Sequence, residues 1–502
     1  MQGESDMKKI IACVVAAAIV LLMLNALNVS PAHVSADSIF VDDEETASEI
    51  DQEALFQELF APDSVIDIAV DISKEQLSDL QADLEYYRQK YSRSSVYRIC
   101  DNVTFTINGK KYVIDDVGIR LKGTSSRANF FNDILGIYNL VNFRLCFNCT
   151  FEDTADYGFE TREWPDKKEK QKRQNRTFAT MKTIELKWNI MADNTYVRNQ
   201  YVQEVFRDYG VPVQNCTLCT LSLGGSKVGI YRLFEPIDEG FIKRYFPKED
   251  WGGDLYKVRC TRFSPATYSL GNTYGIGNKK KVDEYNFDLK TNLETSKHTS
   301  IKKMLDVINH PNATKEDFES VMDMDELARV LAINFAVGNQ DDMRTNYNNH
   351  YLYFRRSDGK AVFIPYDNEL VLGDTYVWSP SESAMTEDSP YFEYNNRFDA
   401  PQEATMIRQT VLKGGYFTDL YSGYLLDIAQ SKWFTLNNYL KYYRIAKKNY
   451  GDKLISKYSF LSTLNKNIEF SMEGGEKYNG NMSIDEYMEK MKANILENVS
   501  VD

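Results

Sequence analysis

The stretch from Gly338 to Gly373 constrains this chain more than any other. It runs Gly338-Asn-Gln-Asp341-Asp342-Met-Arg-Thr-Asn346-Tyr-Asn348-Asn349, dense in carboxylates and carboxamides, and then turns strand-like. Tyr351 and Tyr353 alternate with Leu352 and Phe354, Ser357-Asp-Gly makes a turn, and Val362 and Ile364 lead to Pro365-Tyr-Asp367-Asn-Glu369. The pattern predicts a helix ending at Gly338, a polar loop and a hairpin. Hard oxygen donors on a rigid hairpin, with a carboxylate in the preceding loop, suit magnesium-assisted phosphoryl transfer. An acidic surface loop beside an ordinary hairpin is the other reading, because loops collect Asp and Asn for turn reasons.

Length sets the scale of the fold. With 502 residues, 43% of them hydrophobic and 13% aromatic, the chain has ample core for one large domain or two to three ordinary ones. A net charge of −14 argues against nucleic acid as the main partner. At the N-terminus Lys8-Lys9 precede an apolar run from Ile10 to Leu27, and Val34-Ser-Ala36 resembles a small-residue cleavage site. Residues 1–36 therefore read as a signal peptide or an uncleaved N-terminal membrane anchor. Either puts the remainder outside the cytoplasm, secreted or at the cell surface, touching membrane only through that segment.

Six of the seven cysteines follow that run: Cys100, Cys146, Cys149, Cys216, Cys219 and Cys260. The even number suits disulfides. The Cys-x-x-Cys pairs at 146 and 216 also raise a zinc site. Both lie in strand-like runs, where residues three apart face opposite sides, which favours disulfides or buried thiols over chelation.

Along the chain, residues 37–63 read as an acidic flexible linker. Ile66, Ile68 and Val70 alternate as a strand, and Ser73 with Gln76 caps a helix through Leu77, Leu80, Leu84 and Tyr87. A hairpin turns at Asn108-Gly109 and leads into Val117–Arg127. That segment ends in Gly123-Thr-Ser125-Ser-Arg127, hydroxyls and fixed positive charge that suit a phosphate. The cations of residues 160–177 read as a solvated loop. Ile184–Trp188 is a buried strand, Asp193 caps a helix ending at Gly210, and a second hairpin closes on Glu235-Pro-Ile-Asp238. Residues 259–300 form an irregular insertion, Asp325–Val337 a helix, and the chain after about residue 400 is helical.

This order matches a protein-kinase-like layout, a sheet lobe with one helix followed by a helical lobe bearing a catalytic loop and a metal aspartate. The usual Gly-x-Gly-x-x-Gly, His-Arg-Asp and Asp-Phe-Gly motifs are missing from the sequence. Four segments together resemble the spore coat protein H (CotH) kinase family. They are Ile119-Arg-Leu-Lys-Gly-Thr-Ser-Ser-Arg127, Asp193-Asn-Thr-Tyr-Val-Arg198-Asn199, Gly229-Ile-Tyr-Arg-Leu-Phe-Glu235-Pro-Ile-Asp238 and the Gly338–Gly373 stretch. The resemblance implies an α+β, two-lobed atypical protein-kinase-like fold, with a β-rich N-lobe and a helical C-lobe, over residues 64–425. Residues 426–502 would be a helical extension of the C-lobe.

By the same resemblance Asp341 is the catalytic aspartate, with Asp342 its neighbouring rival. Arg120, Lys122, Ser125, Arg127 and Glu235 would bind the nucleotide. Asp367, Asn349, Asn346 and Glu369 would hold the metal. The implied cofactors are ATP and Mg2+ (or Mn2+), and the implied activity is phosphorylation of Ser or Thr on exported or cell-surface, spore-coat-like proteins. Here Pro-Tyr-Asp367-Asn-Glu369 stands where the family has Pro-Trp-Asp-x-Asp, and no lysine occupies Tyr138–Phe147. Lys122, Lys187 and Lys257 are the candidates for a nucleotide lysine. The rival reading from another class is a surface adhesion or scaffold protein that keeps the fold without the chemistry.

Overall fold

The computed structural model describes residues 39–41, 50–89, 96–123, 131–132, 137–138, 140–152, 163–190, 193–260, 266–269, 275–277, 285–345, 347–375, 381–391, 405–454, 469–473 and 482–500. The chain divides into Met1–Ile39 and Phe40–Asp502, and every element below belongs to the second unit. The expected signal or anchor at 1–36, as well as Ser125, Arg127 and Asn346, lies outside the described residues. Among those described, no helix is long and apolar enough to cross a membrane.

Seven strands of the first half close into a ring: β1 (Ile66–Asp71), β2 (Arg98–Ile107), β3 (Lys110–Lys122), β4 (Asn142–Cys146), β5 (Thr183–Trp188), β6 (Cys216–Leu223) and β7 (Ser226–Phe234). They hydrogen-bond in the order β3-β2-β1-β6-β7-β5-β4, and β4 returns to β3. The expected sheet lobe is thus a closed barrel. An odd ring cannot alternate direction all the way round, so at least one neighbouring pair must run parallel; here it is β1 with β6. Alternation does the sorting. Ile119, Phe143, Leu145, Ile184, Leu186 and Leu233 point inward and are fully buried, while Lys122, Arg144, Glu185, Lys187 and Arg232 occupy the opposite face.

Several local expectations are met. Asn108 and Gly109 take left-handed φ of 51° and 88°, the turn that suits a right-twisted hairpin. Ser73 Oγ accepts the amide of Gln76 at 3.1 Å at the start of the helix Lys74–Gln89. Others are corrected. The supposed linker contains helix Gln52–Leu59, capped by Asp51 and burying Leu55, Phe56 and Leu59. The basic stretch is not a loop: Lys167–Asn175 is helical. Its last turn and the next residue are staples, with Arg173 Nε donating to Cys149 O at 2.7 Å and Arg176 to Asp115 O and Asp116 O at 2.8 and 2.9 Å. The helix after Asp193 begins only at Arg198. Asp193 instead closes a buried turn, accepting from Thr195 N and Arg198 N and pairing with the Arg198 guanidinium at 2.6 Å.

Cys146 and Cys149 form a disulfide. β4 ends at Cys146, so the chain bends and brings Cys149 back to it, which a continuing strand would forbid. Cys216 and Cys219 stay within β6, on opposite faces, as buried free thiols. Neither pair is therefore a zinc site.

The second half is built on a five-stranded sheet. Its strands are β8 (Leu255–Val258), β9 (Ile276–Gly277), β10 (Phe287–Leu289), β11 (His350–Phe354) and β12 (Ala361–Pro365), in the order β9-β10-β8-β11-β12. Two strands thus come from the expected irregular insertion. The hairpin β11–β12 is buried on both faces. Tyr351, Tyr353, Val362 and Ile364 pack with Phe241 and Ile242, and Leu352, Phe354, Ala361 and Phe363 join the large core of the helices. Those helices include Met324–Ala336, Tyr416–Gln430, Leu436–Tyr450 and Ile484–Asn498.

Candidate active site

Helix Met324–Ala336, buried along most of its surface, ends at Gly338. Gly338 has φ 65°, and a Cβ there would stand 2.6 Å from Tyr487 Oη and 2.8 Å from Ala384 O. Only glycine satisfies both limits. The loop it starts is pinned by Asn339, whose amide nitrogen donates to Asn334 Oδ1 and Asn368 Oδ1, both at 3.0 Å. The Asn339 Oδ1 accepts the Asp341 amide at 3.1 Å. One side chain therefore ties the helix end, Asp341 and the loop carrying Asp367 and Glu369.

The two neighbouring acids separate cleanly. Asp342 is buried, and its Oδ1 accepts from Arg344 N at 2.8 Å, Thr345 N at 3.0 Å and Thr345 Oγ1 at 3.1 Å. Its carboxylate is engaged in a turn. Asp341 is only half-buried and receives Asn349 Nδ2 at 2.8 Å. Asn349 O in turn accepts the amide of Tyr366 at 3.0 Å, so Asp341 and Asp367 stand on linked backbone at the base of the hairpin. Asn349 and Asp367 both take left-handed φ, 53° and 62°, a conformation non-glycine residues adopt where the surroundings hold them.

Across from this loop lies the charged face of the barrel. Lys187 Nζ is 2.6 Å from Asp367 Oδ1 and 3.9 Å from Glu369 Oε1, and Arg232 is 3.6 Å from Glu369. Glu185 pairs with Lys122 and Arg144. Tyr366 stands in the middle: its hydroxyl accepts from Lys122 Nζ at 2.8 Å, and its ring meets Lys257, Lys187 and Lys122 at 4.0, 4.8 and 5.5 Å. All three candidate lysines converge on this one ring.

Burial and neighbours set the charges. Burial pushes Lys122 down to about 7, with Lys187 and Arg144 adding to that against Glu185. Burial alone would raise Glu185, but Lys122, Arg144 and Lys187 hold it far below the carboxylate range. Burial would likewise raise Asp367, and Lys187 overcomes it, keeping the acid ionised. Glu369 is pushed up, by burial and then by the charge of Asp367. Its Oε1 is out of solvent with no hydrogen bond.

Two carboxylates two residues apart, one with an oxygen that has ion-pair neighbours but no hydrogen bond, are hard donors of the kind a divalent cation takes. Among the described residues no three His, Cys, Asp or Glu side chains already converge as a cage. Asp367 and Glu369 would fit an ion that arrives with its own ligands, while the Asn349 side chain is engaged by Asp341.

A family model described as CotH kinase protein matches residues 153–463, more than half of the chain. The chain belongs to the CotH kinase family. No curated protein matches it. Three of the four resembling segments fall within the matched range, and Ile119–Arg127 precedes it. The structure nevertheless makes β3 part of the CotH barrel, where Lys122 enters the site between Glu185 and Tyr366. Past the matched range, Ile484–Asn498 supports the same loop, since Tyr487 donates to Ala336 O at 2.9 Å.

Other expected residues are placed elsewhere. Arg120 shares the face of Lys122 but lies over the Tyr97 ring at 5.0 Å. Glu235 is fully buried, with its oxygens taken by Arg244 Nε at 2.7 Å, Asn215 N and Nδ2 at 3.0 and 2.9 Å, and Tyr245 Oη at 3.1 Å. It locks the end of β7 to the next helix. Sequence reasoning missed Glu185, Arg144, Arg232 and Tyr366. The available signal was the alternation Glu185-Leu-Lys187 inside a strand taken as wholly buried.

Proposed function

We propose that this CotH protein is an ATP-dependent protein kinase in which the barrel serves as N-lobe and the second sheet with its helices as C-lobe. It transfers the γ-phosphate to Ser or Thr of exported or cell-surface proteins. The supporting observation is the pairing of Lys187 and Arg232 with the Asp367–Glu369 loop, with Lys122 and Arg144 held by Glu185 on the same barrel face, beside the Asp341–Asn349 pair. Asp367 and Glu369 would hold Mg2+ or Mn2+, which would supply charge neutralisation at the phosphate oxygens. Lys187, now paired with Asp367, would be the nearest cation to a bound phosphate, and Lys122 and Arg144 line the same face. Asp341, oriented by Asn349, accepts the proton of the attacking hydroxyl. Such chemistry is positioning plus electrostatics, which this constellation provides. The N-terminal apolar run supports export and the net charge of −14 speaks against nucleic acid.

A second reading, a non-catalytic adhesion or scaffold protein, draws on the Lys187–Asp367 pair, because an acid already neutralised needs no metal. Incubation with labelled ATP, Mg2+ or Mn2+ and secreted proteins separates the two. Incorporation lost in Asp367→Ala supports the kinase; no incorporation, with surface binding intact, supports the scaffold.

A further inference from the structure

A groove of about 610 Å3 lies on the helical half, between the short helix Lys315–Glu319 and helix Tyr416–Gln430. No residue lining it belongs to the Asp367 site. Tyr416, Leu420 and Tyr424 recur along one face of the longer helix and supply the apolar surface. Gly423 sits among them, and a Cβ built on it meets nothing within 4 Å, so the wall is low at that point.

The surroundings are acidic. Asp419 and Asp427 are exposed on the same helix, and Glu319 faces them. Just beyond, Tyr209 Oη donates to Asp427 at 2.5 Å, whereas Asp325, which Tyr424 Oη reaches at 2.6 Å, is already paired with Arg329. The single lysine lining the groove shows what the surface accepts: Lys315 Nζ lies 4.3 Å above the Tyr416 ring and 3.7 Å from Glu319. An ammonium over a tyrosine beside a carboxylate is a cation–π site with its counter-charge.

We propose that this groove docks a lysine- or arginine-bearing segment of a partner protein, with apolar side chains of that segment filling the space over Gly423. Acidic charge, tyrosine faces and an apolar floor together select basic residues interleaved with apolar ones. The inference stands apart from the phosphoryl-transfer reading, since docking needs none of the residues around Asp367.

The test is fluorescence anisotropy of the whole protein with a short labelled peptide of alternating lysine and leucine, and with its glutamate-for-lysine counterpart. Gly423→Leu fills the groove without changing charge and on a helical backbone with room for the side chain, so it separates groove binding from general attraction to an acidic protein. The expected result is saturable binding of the lysine peptide, weakened about tenfold or more by Gly423→Leu. Asp419→Lys, an exposed change, should weaken it as well. Circular dichroism and melting curves establish that both variants are folded. Equal affinity of wild type and both variants, or equal binding of the glutamate peptide, overturns the proposal.

Discussion

The ammonium of Lys187 stands 2.6 Å from Asp367 Oδ1, joining the outer face of barrel strand β5 to the loop after the hairpin. Lys187 keeps only 5% of its side chain exposed and Asp367 keeps 31%. The same contact explains two properties: Asp367 remains ionised despite burial, and a cation entering the site competes with a lysine already there.

Lys187→Met should therefore act in two directions. Removing the ammonium leaves Asp367 and Glu369 facing each other, which costs roughly 2–4 kcal/mol of stability, less than for a wholly buried pair because Asp367 reaches solvent. Urea denaturation without metal measures this. In the same variant Mn2+ should bind more tightly than in wild type, and ATP more weakly; isothermal titration with each checks both.

Asp341 and Asp342 should separate chemistry from stability. Asp342→Ala removes the acceptor of three hydrogen bonds in a buried turn, at about 1–3 kcal/mol. Asp341→Ala, at a half-buried position that receives Asn349 Nδ2, should cost less stability than Asp342→Ala. On the kinase reading it abolishes phosphoryl transfer under single-turnover conditions. A melting series alongside labelled-ATP transfer distinguishes them.

Lys122 predicts opposite pH trends for stability and for anion binding. Its folded value of about 7 lies below the ordinary 10.5, so the unfolded chain holds a proton that the fold releases between those limits. Stability from this group therefore rises with pH across that window. Anion affinity should fall as pH rises through about 7, because the ammonium is lost. Inorganic phosphate and ATP titrations from pH 6 to 9 should show the decline, and Lys122→Met should flatten it.

The disulfide gives a fourth test. A Cβ on Gly118 would lie 2.9 Å from Cys149 Sγ and 3.0 Å from Tyr97 Cβ, so Gly118→Ala should destabilise the oxidised protein more than the reduced one. The bridge spans a sequence separation of only 3, and a loop that short contributes about 2 kcal/mol or less. Denaturation of wild type and Gly118→Ala, each with and without a dithiol, measures the difference.

Local chemistry made much of this molecule legible in its sequence. Asn108-Gly109 specifies its turn through φ, Ser73 caps the helix that starts at Lys74, and alternation marks Ile66, Ile68 and Val70 as one face of a strand. The same holds for the hairpin that leads to Asp367. Each depends on contacts within a few residues, which a linear pattern records.

Closure of the barrel, the partition of Asp341 from Asp342 and the gathering of Lys122, Lys187 and Lys257 on Tyr366 were decided only by the tertiary structure. Strand propensity is the same in an open sheet and a ring, since closure depends on β3 meeting β4. Two adjacent aspartates are alike in sequence until one is turned inward to Arg344 and Thr345 and the other outward to Asn349. Lys122 and Glu185 lie 63 residues apart, and Lys187 and Asp367 lie 180 apart. A charge network of that span exists only once packing has desolvated its members and left each with no better partner than the others.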